Sequence, residues 1–310
     1  MNRAGLVLLA AALVALWGAS SALAPHDPEH ECFGATETMV GTPASDVITG
    51  TPAADVIKAG PGDDTIDGAG GDDIICGEDG NDSILGGGGD DAISGDAGDD
   101  HLDGGEGFDV AFHYWSPVGV SASLETNTAT GWGNDTLANF EGLVGSLHDD
   151  TLTGDAKGNL LDGRAGNDQL SAGGGSDGLD GDAGNDLLDG GPGADLVFYD
   201  YSPNAVVASL ATHTGRGWGS DTYRGIEDLH GSQQDDVLVG NGGPNLLNGH
   251  KGSDRISGGG GNDKIFGEQG NERLFGGPGR DNLNGGPGRD RVDGGSGRDV
   301  CIGERKRRCP

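Results

Sequence analysis

An aliphatic or small apolar residue recurs every nine positions along the first third of the chain, at Ile48, Ile57, Ile66, Ile75, Ile84, Ile93, Leu102 and Ala111. Two residues ahead of each stands an acid: Asp46, Asp55, Asp64, Asp73, Asp82, Asp91, Asp100 and Asp109. The residues between are glycine-rich, as in GGGGDDAISGDAGDDHL over residues 86–102. This unit, Gly-Gly-x-Gly-x-Asp-x-aliphatic-x, predicts a tight six-residue turn followed by a three-residue strand whose middle side chain points inward. One unit cannot bury its own aliphatic residue, so neighbouring units are expected to stack into a parallel coil around an aliphatic ladder. Two units make one turn of the coil, which sets positions eighteen apart side by side. Asp64 then neighbours Asp82, and Asp73 neighbours Asp91.

Stacked carboxylates are electrostatically costly. Two unit charges about 4 Å apart repel by roughly 4 kcal/mol at an effective dielectric of 20, and the coil repeats that contact along both edges. A hard divalent cation between turns converts the repulsion into binding. Calcium suits the oxygens on offer because it accepts backbone carbonyls beside carboxylates in flexible geometry, whereas magnesium demands a strict octahedron.

The repeated GGxGxD units resemble the RTX, or haemolysin-type, calcium-binding repeats of secreted bacterial proteins, from about residue 38 onward. The resemblance implies an all-β fold, a right-handed parallel β-roll with several Ca2+ ions between its turns. The ligands it implies are Asp64, Asp73, Asp82, Asp91, Asp100, Asp109, Asp168, Asp177, Asp186, Asp195, Asp254, Asp263, Asp281, Asp290 and Asp299. Weaker sites are expected at Asp46, Asp55, Asp150 and Asp236, where Ala44, Ala53, His148 and Gln234 replace the fourth-position glycine, as Lys157 does ahead of Asn159. Asn159, Asn245 and Glu272 occupy the acid position and are expected to be poorer ligands than their neighbours.

The register breaks twice. After Asp109 comes a stretch with Phe112, Tyr114, Trp115 and an alternating run over 118–124 that reads as a strand. Residues 195–236 repeat 109–150 at an offset of 86, so a duplicated module of coil plus insert is the economical reading. The predicted organisation is a signal peptide at 1–24, an N-terminal cap segment at 25–38, and roll blocks at 39–111, 150–197 and 236–303. Two homologous β-rich inserts occupy 112–149 and 198–235, and a basic tail 304–310. By resemblance, the inserts are expected to form small β elements packed against the roll. Trp132 and Trp218, each in a Gly-Trp-Gly setting, are expected to form the insert core rather than a ligand-stacking platform.

Composition fits this picture and narrows the partners. The chain has 65 Gly in 310 residues, 5% aromatic residues and a formal charge of −33, which excludes an ordinary globular core and points to disorder without calcium. The acidic excess argues against nucleic acid and against an anionic membrane. Residues 251–310 depart from it, with 12 Lys or Arg against 9 Asp or Glu. There Arg280, Arg289 and Arg298 stand beside the acids and are expected to neutralise part of their charge. At the other end Arg3, an apolar stretch over 6–17 and Ala22-Leu23-Ala24 form a secretory signal, cut after Ala22 or Ala24. No membrane association is expected once it is removed. His26, His30 and Cys32 lack the fourth ligand of a persuasive zinc site.

Four cysteines in an exported chain imply disulfides, with three possible connectivities. Cys301 and Cys309 are neighbours in sequence, which leaves Cys32 for Cys76; two free thiols are the alternative. Cys76 lies on a face whose seventh positions, Val56, Ile74, Ala92 and Val110, are apolar, so the N-terminal segment is expected to lie over that face and cover the open end of the coil.

Catalytic motifs are weak. GGSDG over 174–178 matches a nucleophile elbow, but Ser176 falls in a nonapeptide turn where no strand-to-helix turn is expected. Asp pairs such as 63/64 and 90/91 recur with the repeat and are architecture. The expected protein is a secreted, extracellular, non-enzymatic calcium binder that folds on meeting calcium. The alternatives are a cell-surface or matrix adhesin binding glycans through the inserts, and a small polysaccharide-acting enzyme. Against the last, only Glu141/Glu227 and Asp135/Asp221 recur between the inserts, with no shared histidine.

Overall fold

A computed structural model describes residues 32–309. The predicted signal peptide, the His26/His30 pair and the first part of the cap segment lie outside the described residues. Apart from a three-residue 3-10 turn at Cys32–Gly34, the regular structure among the described residues is all β. Two compact units divide the chain, Met1–Gly174 and Gly175–Pro310, and each is a parallel β-solenoid.

In the first unit, one face stacks Met39–Val40, Val56–Lys58, Ile74–Cys76, Ala92–Ser94, Val110–Phe112, Gly142–Val144 and Leu160–Asp162, each parallel to the last. The other face begins with Val47–Thr49, Thr65–Asp67, Ser83–Gly88 and His101–Glu106. Partners are eighteen apart, as in Ile57↔Ile75 and Ile66↔Ile84. The middle residue of each strand faces inward: Ile57, Ile75, Ile93 and Leu102 are fully buried. A fully buried Ile or Leu contributes about 1.5–3 kcal/mol, and the ladder repeats that gain at every turn.

The insert does not pack against this coil as a separate element. It is spliced into one face. Asn134–Ala138 lies parallel to His101–Glu106, Thr128–Thr130 runs antiparallel to it, and Ser121–Ser123 runs antiparallel to that and parallel to Thr151–Thr153. Two reversals restore the strand direction, so the next coil strand pairs in parallel. The opposite face is not interrupted, because Gly142–Val144 sits between Val110–Phe112 and Leu160–Asp162.

The second unit repeats the device. Ser220–Arg224, Thr214–Arg216 and Val207–Ser209 form the meander between Leu187–Asp189 and Val237–Val239. Asp228–His230 continues the other face from Leu196–Val197 to Leu246–Asn248. Seven-residue strands at Arg273–Gly279 and Arg291–Gly297 follow, and Arg305–Arg307 pairs with the latter.

Trp132 and Trp218 are only half-buried, at the turn between the second and third meander strands. The insert core is aliphatic and phenolic instead: Val120, Ala122 and Leu137 in the first unit, and Val206, Leu210 and Tyr223 in the second.

Cys32 is bonded to Cys76 and Cys301 to Cys309. Cys32, Ile74 and Cys76 form one buried cluster with Phe33, Ala35 and Val56 against it, and the Phe33 ring lies 4.9 Å from that of Phe112. The segment therefore runs across the apolar face. It leaves the end of the ladder partly open among the described residues, since Ile48, the first inward residue of the other face, is only half-buried.

Candidate metal sites

The sixth-position acids are almost wholly buried, and each stands beside the backbone of the turn before it. Asp64 N–H donates to Asp82 Oδ1 (2.8 Å), Asp73 N–H to Asp91 Oδ1 (2.9 Å) and Asp82 N–H to Asp100 Oδ1 (2.8 Å). In the second unit Asp236 N–H donates to Asp254 Oδ1 (2.8 Å) and Asp263 N–H to Asp281 Oδ1 (3.0 Å). The carboxylates thus do not face each other bare, because a backbone donor stands between successive members. That bond uses one oxygen of each pair.

The second oxygen has no donor. Among the described residues, Oδ2 of Asp64, Asp73, Asp82, Asp91, Asp100 and Asp109 is buried with no hydrogen-bond partner. The same holds in the second unit for Asp195, Asp254, Asp263, Asp281, Asp290 and Asp299. A buried polar atom left unmatched costs about 1–3 kcal/mol, and more when charged. Other oxygens crowd the same place. A Cβ on Gly68 would lie 2.6 Å from Asp73 Oδ2 and collide with the carbonyl oxygen of Gly86 in the next turn, so only glycine lets these acceptors converge. Acceptors without donors are the surroundings a hard cation requires.

Burial, with neighbouring acids adding to it, pushes these groups upward. Asp73, Asp82, Asp109, Asp195 and Asp254 rise to about 7, and Asp91, Asp100 and Asp263 to about 6. Asp64 and Asp281 move the same way. Without a cation, protonation relieves part of the buried charge.

A second kind of turn satisfies its own acid. Thr42 N–H donates to Asp46 Oδ2 (2.6 Å), Thr51 to Asp55 (2.7 Å), Ser146 to Asp150 (2.5 Å) and Ser232 to Asp236 (2.6 Å). Asp155 and Asn241 do the same for Oδ1 of Asn159 and Asn245 (2.7 and 2.8 Å). The donor always lies four residues before the acceptor, at the second position of the unit. In the ordinary turns this second residue is left-handed, as at Ala69 (φ 71°), Arg164 (φ 68°) and His250 (φ 62°). Its N–H then points away, to Asp67, Asp162 and Asn248 respectively. Thr42, Thr51, Ser146, Asp155, Ser232 and Asn241 are not left-handed, and their N–H turns inward to take the place of a cation. Residue type at the second position does not decide this alone, since Asp96 (φ 63°) and Asp182 (φ 51°) are left-handed in units that keep the fourth-position glycine.

The inserts supply ladder members that the nonapeptide grammar conceals. Asp100 N–H donates to Asp135 Oδ1 (3.0 Å) and Asp186 N–H to Asp221 Oδ1 (3.3 Å). Glu141 Oε2 accepts from Asp109 N–H (3.2 Å), and Glu227 Oε2 from Asp195 N–H (3.1 Å). The recurrence of these four acids in both inserts is therefore architectural. Asp221 has a donor on its second oxygen, Tyr199 Oη at 2.6 Å, and Tyr199 is in turn bonded to Tyr223. Both carboxylate oxygens of Glu272, at an acid position expected to be a poorer ligand, are buried, and burial with Asp290 beside it lifts its acid to about 8.

Arg280, Arg289 and Arg298 keep their side chains exposed. Oδ2 of Asp281, Asp290 and Asp299 has no hydrogen-bond partner among the described residues, so none of the three arginines bonds to it. Ser176 lies in a turn that leads into the strand Gly178–Asp180, with no helix after it.

No curated protein matches the chain. The RTX calcium-binding nonapeptide repeat pattern, which spans four copies, matches residues 40–75, 77–111, 144–179, 179–200, 230–265 and 266–301, more than half of the sequence. Those segments coincide with the coil strands and the buried acid ladder, and the chain accordingly belongs to the RTX calcium-binding nonapeptide repeat family.

Proposed function

We propose that this is a secreted, extracellular, non-enzymatic calcium-binding protein whose coil folds when calcium enters between its turns. The observation that carries the reading is the row of buried, donor-free Oδ2 atoms in both units. Asp64, Asp73, Asp82, Asp91, Asp100 and Asp109 would hold calcium in the first unit, with Asp168 continuing the row. Asp177, Asp186, Asp195, Asp254, Asp263, Asp281, Asp290 and Asp299 would do so in the second. Asp46, Asp55, Asp150 and Asp236 have their second oxygen bonded to protein and would bind weakly. Bound calcium supplies the positive charge that lets the ionised ladder stay buried.

Extracellular sites typically bind with Kd of about 10⁻⁴–10⁻³ M, and each occupied site adds RT ln(1 + [L]/Kd) to stability. Many weak sites in series give a steep response. Far-UV circular dichroism of residues 25–310 during a calcium titration from a chelated start tests this, with magnesium as control. A cooperative rise in β signal at roughly 0.1–1 mM calcium, absent with magnesium, is expected. A chelated protein that is already fully β and indifferent to calcium would sink the reading.

A second reading, a cell-surface or glycan-binding adhesin, draws on the half-buried Trp132 and Trp218 at the hairpin tips. Glycan-array binding lost in Trp132→Ala and Trp218→Ala would favour it.

A further inference from the structure

The two modules are not chemically equivalent on their uninterrupted face. In the second unit Asp200, His230 and His250 bring one ligand atom each to within 4.8 Å of one another. They come from three consecutive rungs. Asp200 follows Leu196–Val197, His230 ends Asp228–His230, and His250 lies two residues past Leu246–Asn248. The positions at offset 86 in the first unit are Tyr114, Val144 and Arg164. There Arg164 stacks over the Tyr114 ring at 5.0 Å, and none of the three positions carries an imidazole. The duplicated backbone is the same, and three coordinated changes at contacting positions distinguish the copies.

The three side chains converge on one point. His250 Nε2 and Asp200 Oδ1 are 2.9 Å apart and pair as ions when His250 is protonated. Both atoms are buried and have no further hydrogen-bond partner among the described residues. His230 is 3% exposed and is held edge-on between Phe198 (5.7 Å) and His250 (5.2 Å). Asp200 and His250 keep 22% and 25% of their side chains exposed, which leaves a way in. Two imidazoles and a carboxylate with room for a further ligand suit a borderline transition metal, not the oxygen-seeking calcium of the ladder.

We propose that Asp200, His230 and His250 form a site for one transition-metal ion of the zinc class, separate from the calcium ladder and confined to the second module. It would tie the first residues of the second insert to the two rungs that follow.

The test uses untagged, calcium-saturated full chain. Zn2+ is titrated calorimetrically, and Co2+ serves as a spectroscopic probe of imidazole and carboxylate coordination. One equivalent of zinc is expected, undisturbed by excess calcium, with cobalt absorption bands that zinc abolishes. His250→Ala and Asp200→Asn, both at partly exposed positions, should each weaken zinc binding by more than about tenfold while the calcium-loaded circular dichroism spectrum is unchanged. Asp200→Asn keeps the side chain's size and gives an independent reading if His250→Ala perturbs the fold. Absence of stoichiometric zinc binding, competition by calcium, or unchanged affinity in Asp200→Asn would overturn the proposal. The last outcome would assign any zinc to other histidines of the chain.

Discussion

Asp64 N–H donates to Asp82 Oδ1 at 2.8 Å, while Oδ2 of the same carboxylate is buried without a partner among the described residues. One oxygen is used by the protein and the other is available to a cation. Asp82→Asn keeps the first role and removes the second together with its charge. With saturating calcium the variant should lose about 1–3 kcal/mol and bind fewer ions, as read by urea unfolding and calorimetry. At calcium just sufficient for folding the loss should shrink, because a buried charge has gone. Equal losses in both conditions would show that Asp82 acts only as a hydrogen-bond acceptor.

The raised carboxyl groups set an unusual pH dependence. Burial lifts Asp73, Asp82, Asp109 and Asp254 to about 7 in the folded chain, above the ordinary aspartate value of about 3.9 expected when unfolded. Without cation, the folded state therefore holds more protons between those limits, and stability falls as pH rises from about 4 through 7. Calcium requires the ionised form, so its affinity should climb over the same interval. In chelator the β signal should be greater at pH 5 than at pH 8, and in millimolar calcium the urea midpoint should be higher at pH 8; the same order in both would contradict the assignment.

Turns that satisfy their own acid should be indifferent to calcium. Ser232 Oγ donates to Asp236 Oδ1 (2.8 Å) and accepts from Gln234 N–H (3.0 Å). Ser232→Ala removes both bonds, and the expected loss is about 1 kcal/mol. Denaturation should show the same loss at saturating and at barely sufficient calcium. A loss that grows with calcium would mean that this turn takes an ion after all.

The two disulfides should differ in weight. Cys32–Cys76 spans 44 residues and Cys301–Cys309 spans 8, so chain entropy assigns them about 4 and about 2.5 kcal/mol. Loss of the first also releases Phe33 from Phe112 and bares Ile74. Cys32→Ala with Cys76→Ala should lower the melting temperature more than Cys301→Ala with Cys309→Ala, and should raise binding of a hydrophobic dye.

The coil was legible because its period is strictly local: Ile57, Ile75 and Ile93 recur at a fixed spacing and land in one ladder. The cap was legible too, since an apolar seventh-position row beside a lone Cys76 asks for a cover. Three things were not. The meander hides its ladder roles because Asp135 and Glu141 reach the coil only after two chain reversals. The turn-type switch sits at the second position of the unit, where Thr51 and Ala69 look interchangeable until their φ angles separate them. The Asp200, His230 and His250 trio depends on how the coil winds past an insert, and its spacings of 30 and 20 residues match no short motif.

The final strand of the second unit, Arg305–Arg307, pairs through Arg291–Gly297 on one side, and all three of its residues, Arg305, Lys306 and Arg307, are exposed. A stacked parallel coil has two growing ends, and an uncovered rung is a template for a second chain. Three adjacent cations make that rung repel a copy of itself, and the Cys301–Cys309 link holds it in place. On that face the last described rung thus carries charges that oppose stacking by a second copy.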